Sequence, residues 1–116
     1  MVTLYERILD RTEKISVVGL GYVGLPLAVA FAKVADVVGY DINRAKVEQY
    51  RIGIDVTKEV GDKDLQETTA FLTWEEEYLR DCRFHIVSVP TPLKEDKTPD
   101  LHPVISASRT VGRNLT

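Results

Sequence analysis

The stretch VVGLGYVGLPLA, Val17 to Ala28, sets three glycines at G-x-G-x-x-G spacing inside an otherwise apolar run. Glycine loses more backbone freedom on folding than any other residue, so three at fixed spacing need a physical reason. Upstream, ISVVG (Ile15–Gly19) is a short β-rich apolar run and predicts a buried strand. Downstream, Tyr22 to Val34 is apolar or small nearly all round, which predicts a helix packed closely on a sheet. Pro26 is tolerated in its first turn, where several N–H groups lack helical partners anyway. The glycines therefore form the joint between a strand and a helix. Gly19 permits the tight turn, Gly21 lets the backbone approach a pyrophosphate, and Gly24 lets the helix pack against the strand.

A second strand, DVVGYD (Asp36–Asp41), ends on an acidic residue about 22 positions beyond Gly19. Strand, glycine turn, helix, strand and terminal acid together make the dinucleotide fingerprint. Free N–H groups near Tyr22 and Val23 would face the phosphates, assisted by the helix dipole. The Asp41 carboxylate is suited to accept both hydroxyls of an adenosine ribose, through charge-assisted bonds worth roughly 1.5–3 kcal/mol. It would repel a 2′-phosphate, so the expected cofactor is NAD, with Arg44 nearby leaving some room for NADP. The plain structural alternatives are a glycine-rich turn that only packs and a strand-end aspartate without a ligand.

The remaining chain extends the pattern. Leu4, Ile8 and Leu9 among charged neighbours predict a short amphipathic helix before the core. NRAKVEQYR predicts a helix with Asn43 as N-cap. Ile52 to Ala70 reads as loop plus a short helix, and AFLT (Ala70–Thr73) as a third strand. Thr73 and Glu76 form a capping-box pattern, predicting a helix over WEEEYLRD. FHIVSV (Phe84–Val89) predicts a fourth strand, LKEDKTPD a loop, and Asp100 the cap of a final helix reaching about Asn114. The order predicts an α/β fold: a Rossmann-type, doubly wound parallel sheet, truncated at about four strands in the order 3-2-1-4. Pro90 has no N–H and stops pairing at the carboxyl edge, leaving Val89, Pro90 and Thr91 as a stiff wall beside the cofactor.

Composition narrows the function classes. The 116 residues are 44% hydrophobic and 28% charged, with a formal charge of −3, so no basic surplus points to nucleic acid. A lone cysteine, Cys82, forms no internal disulfide, and a cytoplasmic location is expected. MVTLYERILDRTEK is too charged for a signal peptide. The longest apolar stretch, Gly19 to Ala32, is short of the roughly 20 residues of a membrane span. His85 and His102 have no metal-ligand companions in the sequence, and no metal is expected. Cys82, between Asp81 and Arg83, reads as a partly buried structural thiol.

These residues resemble the N-terminal domain of the UDP-glucose/GDP-mannose dehydrogenase family, the nucleotide-sugar 6-dehydrogenases. The matching pieces are VVGLGYVGLPLAVAFA, VVGYDINRAKVEQY, GIDVTKEVGDKDL, FHIVSVPTP and PDLHPVISASRTVGRNL, from about Lys14 to Leu115. The third is most similar to the branch acting on UDP-N-acetylhexosamines. A related β-hydroxyacid dehydrogenase shares the GLG start but is not expected to carry VPTP. The resemblance implies NAD-dependent oxidation of a sugar C6 alcohol to a carboxylate, for surface polysaccharide precursors. It implies two hydride transfers through an aldehyde held by an enzyme cysteine. By position, Gly19, Tyr22, Val23 and Gly24 match the family's pyrophosphate loop, and Asp41 its ribose-binding acid. Lys46 matches a basic residue reaching the same region, and Val89 and Thr91 match cofactor-lining positions.

The family's nucleophilic cysteine, its accompanying lysine and the sugar contacts lie far downstream of the matched region. The chain is thus expected to be the N-terminal part, residues 1–116, of a dinucleotide-binding domain, with no catalytic residue and no activity alone. A UDP-sugar is the expected partner of the whole enzyme. Apolar surface left for further strands favours self-association, so a homo-oligomer is expected. The alternative from another class is a stand-alone module that senses NAD without chemistry.

Overall fold

A computed structural model describes residues 3–90 and 94–115. In chain order the elements are α1 (Leu4–Leu9), β1 (Lys14–Val18), α2 (Gly24–Ala32), β2 (Asp36–Tyr40) and α3 (Arg44–Arg51). After them come α4 (Asp62–Glu67), β3 (Phe71–Thr73), a 3-10 helix (Glu76–Asp81), β4 (Cys82–Val87) and α5 (His102–Arg113). The four strands form one sheet in the order β3-β2-β1-β4, parallel throughout. This is the predicted α/β order.

Alternation along the strands builds a core on each face of the sheet, since successive strand side chains point to opposite sides. Ile15 and Val17 of β1 and Val37 of β2 join Leu25, Ala28 and Val29 of α2, Val47 and Tyr50 of α3 and Leu65 of α4. The intervening residues Val18, Val38 and Tyr40 face the opposite way, onto Leu79, Cys82 and Ala107 of the 3-10 helix, β4 and α5. Both faces of β1 and β2 are therefore covered, as a parallel sheet requires. A bidentate pair between Arg113 and Glu76, with closest approach 2.6 Å, ties α5 to the 3-10 helix.

Several boundaries differ from the sequence reading for identifiable reasons. The α2 helix starts at Gly24 rather than Tyr22, because Tyr22 and Val23 belong to the preceding turn. Asn43 caps α3 as expected, its side chain accepting from the Lys46 N–H at 3.1 Å. The capping box at Thr73 and Glu76 does not form. Thr73 Oγ1 accepts from the Glu75 N–H at 3.0 Å, Glu76 is taken by Arg113, and the segment winds as a 3-10 helix. The β4 strand spans Cys82–Val87 rather than Phe84–Val89, since its register follows β1 from Lys14 to Val18. Backbone pairing persists to the Ser88 N–H, 2.8 Å from the Val18 carbonyl, and stops before Pro90. Asp100 Oδ1 accepts from the His102 N–H at 3.0 Å at the start of α5.

The loop between α3 and α4 is organised by one carboxylate. Asp55, 4% exposed, accepts from the Thr57 hydroxyl and from the N–H groups of Thr57, Val60 and Gly61, at 2.6–2.9 Å. Burial acts to raise its pKa; the Thr57 hydroxyl and the Gly61, Val60 and Thr57 amides together outweigh it, to about 2 from an ordinary 3.8. A depressed folded pKa contributes stability that is present above 3.8 and is lost as pH falls through about 2. Asp55→Asn is expected to cost about 2–4 kcal/mol at neutral pH and to flatten the loss of stability in that acidic window. Urea unfolding at a series of pH values measures both effects.

Candidate cofactor-binding site

The turn after β1 is shaped by its glycines. Gly19 has φ +101°, where a side chain would be strained and would also press on Val89 and Ser88. A Cβ at Gly24 would stand 1.7 Å from the Gly19 carbonyl oxygen, so α2 approaches the strand end too closely for any other residue. At Gly21 the same construction meets nothing within 4 Å. That glycine borders open space, a cleft of about 590 Å³ at the carboxyl edge of the sheet. The cleft lies above β1 and between the ends of β2 and β4, and its lining includes Gly19, Gly21, Tyr22, Asp41, Lys46 and Val89. Among the described residues, the N–H groups of Tyr22 and Val23 meet no backbone or side-chain acceptor. Both side chains are exposed.

Every polar backbone atom of Gly19 and Leu20 is held from within the fold. The Gly19 N–H donates to the Tyr40 carbonyl at 2.7 Å, and the Gly19 carbonyl accepts from the Ser88 hydroxyl at 2.8 Å. The Leu20 N–H donates to Asp41 Oδ2 at 2.8 Å, and the Leu20 carbonyl accepts from the Tyr50 hydroxyl at 2.7 Å. Asp41 is itself buried at the end of β2. Its Oδ1 accepts from the Asn43 N–H at 2.8 Å, and its Oδ2 also meets Lys46 Nζ at 2.9 Å. A carboxylate offers about four acceptor positions. Three are filled, and the one left is on Oδ1. Lys46 thus forms an ion pair with the acid that the sequence places beside it.

Arg44 is turned away from Asp41. Its guanidinium lies 4.7 Å from the Trp74 ring centre and bonds Glu48 at 2.8 Å, while Arg51 covers the same ring at 4.4 Å. Across the cleft, Val89 and Pro90 form part of the wall; Thr91 lies outside the described residues. Away from the cleft, burial pushes the Cys82 thiol up to about 12, with Asp81 adding to the rise, so it stays a protonated core thiol. His85 Nδ1 lies 2.6 Å from Ser16 Oγ, and its buried Nε2 has no partner among the described residues. Burial lowers its pKa, which keeps the ring neutral. His102 pairs with Asp100 at 2.9 Å on the surface. Among the described residues no group of three His, Cys, Asp or Glu could hold a metal ion, and no helix is long and apolar enough to cross a membrane.

A family model, described as the NAD binding domain of the UDP-glucose/GDP-mannose dehydrogenase family, matches residues 13–116. The chain belongs to this family. Its fold, sheet order and glycine turn are those of an NAD-binding domain, and the cofactor of that domain is NAD. UDP-N-acetyl-D-glucosamine 6-dehydrogenases of Salmonella typhi and Pseudomonas aeruginosa are 47% and 48% identical to it over 103 residues. Each match covers 88% of this chain and 24% of the relative. The solved structure of a UDP-glucose dehydrogenase from Pyrobaculum islandicum superposes with a TM-score of 0.81 at 35% identity, over 88% of this chain and 25% of that one. The chain spans about a quarter of the length of these dehydrogenases.

Sequence reasoning on this NAD-binding domain named the turn and its acid but missed Ser88 and Tyr50, which hold the turn's carbonyls. The spacing of Val47 and Tyr50 marks both as core-facing, and a buried tyrosine hydroxyl requires a partner. Which partner it finds is a tertiary fact. Gly24→Ala is expected to destabilise the domain by at least about 3 kcal/mol, because its Cβ meets backbone. Gly21→Ala, facing open space, is expected to stay within about 1 kcal/mol of the parent. Chemical denaturation of the two variants provides the comparison.

Proposed function

We propose that this chain is the cofactor-binding portion of a nucleotide-sugar 6-dehydrogenase acting on a UDP-N-acetylhexosamine. The observation that carries the reading is the open face at Gly21 beside the acceptor-free N–H groups of Tyr22 and Val23, with Asp41 bonded to the adjoining Leu20 on the same cleft. An NAD pyrophosphate fits that cradle. Donors point from a helix start, no Cβ obstructs the approach, and the dipole of α2 favours the negative charge. Asp41 Oδ1 takes one ribose hydroxyl, and Lys46, with donors to spare, takes the oxygen of the other. Val89 and Pro90 close the side toward the nicotinamide. When bound, NAD accepts the hydride released by the sugar alcohol; the residues here bind and orient it. The sugar contacts and the catalytic thiol belong, in this reading, to the remainder of a chain of the relatives' length. The two close relatives are named for UDP-N-acetyl-D-glucosamine, and the resemblance of GIDVTKEVGDKDL favours the same substrate class. A cytoplasmic homo-oligomer, with no nucleic acid partner, completes the proposal.

The Lys46–Asp41 pair sets the cofactor preference. A bare carboxylate would reject a 2′-phosphate strongly, whereas Lys46 at 2.9 Å offsets part of that repulsion. NAD is expected to bind more tightly than NADP. Lys46→Gln should widen that gap by about five- to tenfold, since it restores the full charge of Asp41 and removes a cation from the phosphate's path. Gly21→Ala should weaken NAD at least about tenfold while the fold persists. Calorimetric titration with both cofactors measures these values. NADH formation from UDP-N-acetylhexosamines by a protein of the relatives' length tests the enzyme assignment. Equal affinity of the parent for NAD and NADP would count against the role given to Asp41.

A further inference from the structure

The Leu20–Gly21 peptide lies at the centre of the glycine turn, and its orientation decides what the cleft presents. In a planar trans peptide the carbonyl of one residue and the N–H of the next point in opposite directions. The preceding unit shows this: the Gly19 carbonyl reaches Ser88 while the Leu20 N–H reaches Asp41. The next unit is held at one end only. Its Leu20 carbonyl accepts from Tyr50 Oη at 2.7 Å, and its Gly21 N–H meets no acceptor among the described residues, on the side that opens to the cleft.

We propose that Tyr50 is a positioning residue for cofactor binding: its hydroxyl, anchored in the core by α3, turns the Leu20–Gly21 peptide so that the Gly21 N–H faces the pyrophosphate. Three further observations bear on this. Tyr50 is 2% exposed and Leu20 is fully buried, so without the hydroxyl the Leu20 carbonyl has no water to replace it. The hydroxyl stays a donor at all working pH values, because burial, and secondarily the Asp41 charge, push its pKa well above the ordinary 10. Gly21 has no side chain to bias its own torsions, so the turn needs an external hold. Tyr50 touches no cofactor atom in this scheme; it acts through the peptide it bonds.

The inference rests on the NAD reading, and Tyr50→Phe separates the two. The variant keeps the ring and the core packing and deletes only the donor. Amide hydrogen exchange in the free chain is the first readout. Leu20 joins the peptide that Tyr50 holds to the one whose N–H rests on Asp41, so freeing its carbonyl should reach that N–H. Exchange at Leu20 should accelerate at least about fivefold relative to the β1 amides, a local loosening that general destabilisation would not give. Affinity for NAD, by calorimetry, should fall about tenfold, the scale of one hydrogen bond lost to a buried acceptor. Uniform acceleration across the sheet, or exchange at Leu20 equal to the parent, would overturn the proposal. So would an unchanged NAD affinity in a variant with a loosened turn. Failure of the parent itself to bind NAD would overturn the positioning role together with the cofactor reading. The exchange pattern would then still report whether Tyr50 holds the turn.

Discussion

Position 24 has no room for a side chain, and much of the site follows from that contact. With the first residue of α2 close against the Gly19 carbonyl, the helix start is packed onto the strand end. Just before it, the N–H groups of Tyr22 and Val23 are left without partners beside open space, where a negatively charged ligand gains from the helix dipole. The turn is held in addition by Asp41, Tyr50 and Ser88, one group each from just past β2, from α3 and from just past β4. A segment that looks like a flexible glycine-rich loop in sequence is therefore cross-braced from three elements.

The division between what the sequence shows and what it hides is physical. Periodicity carries the strands and helices, because burial demands apolar residues at alternate or helical spacing. The sheet order follows from right-handed crossovers together with the fingerprint. Asp41 is legible because it ends a strand at a set distance from the glycines. Short polar segments are less so. Thr73 and Glu76 have the spacing of a capping box, but Arg113, far along the chain, offers Glu76 a bidentate partner, and Thr73 turns back on Glu75. Local pattern gives way there to a long-range charge pair. Tyr50 and Ser88 were invisible as turn holders for the same reason: their partners are distant backbone carbonyls, which no side-chain pattern encodes.

Asp41 shows how one residue carries two loads. It braces the turn through Leu20 and begins α3 through Asn43, so its carboxylate is largely committed before any ribose arrives. Lys46, one turn into α3, then decides how much charge remains to act on a ligand. In the proposed reading, structure and specificity are thereby coupled: a change at Asp41 alters both the bonds that hold the turn and the charge in the cleft. A change at Lys46 alters chiefly the field.

Trp74 is the sole tryptophan of the sequence, and guanidiniums from both ends of α3 rest on its ring. It follows directly on Thr73, whose carbonyl accepts the Asp41 N–H at 3.1 Å. The indole therefore stands one residue from the acid of the cleft and in contact with the helix that carries Lys46 and Tyr50. Its fluorescence is a built-in optical gauge. A displacement of α3 that carries Arg44 or Arg51 off the ring would change the emission of a protein carrying no label.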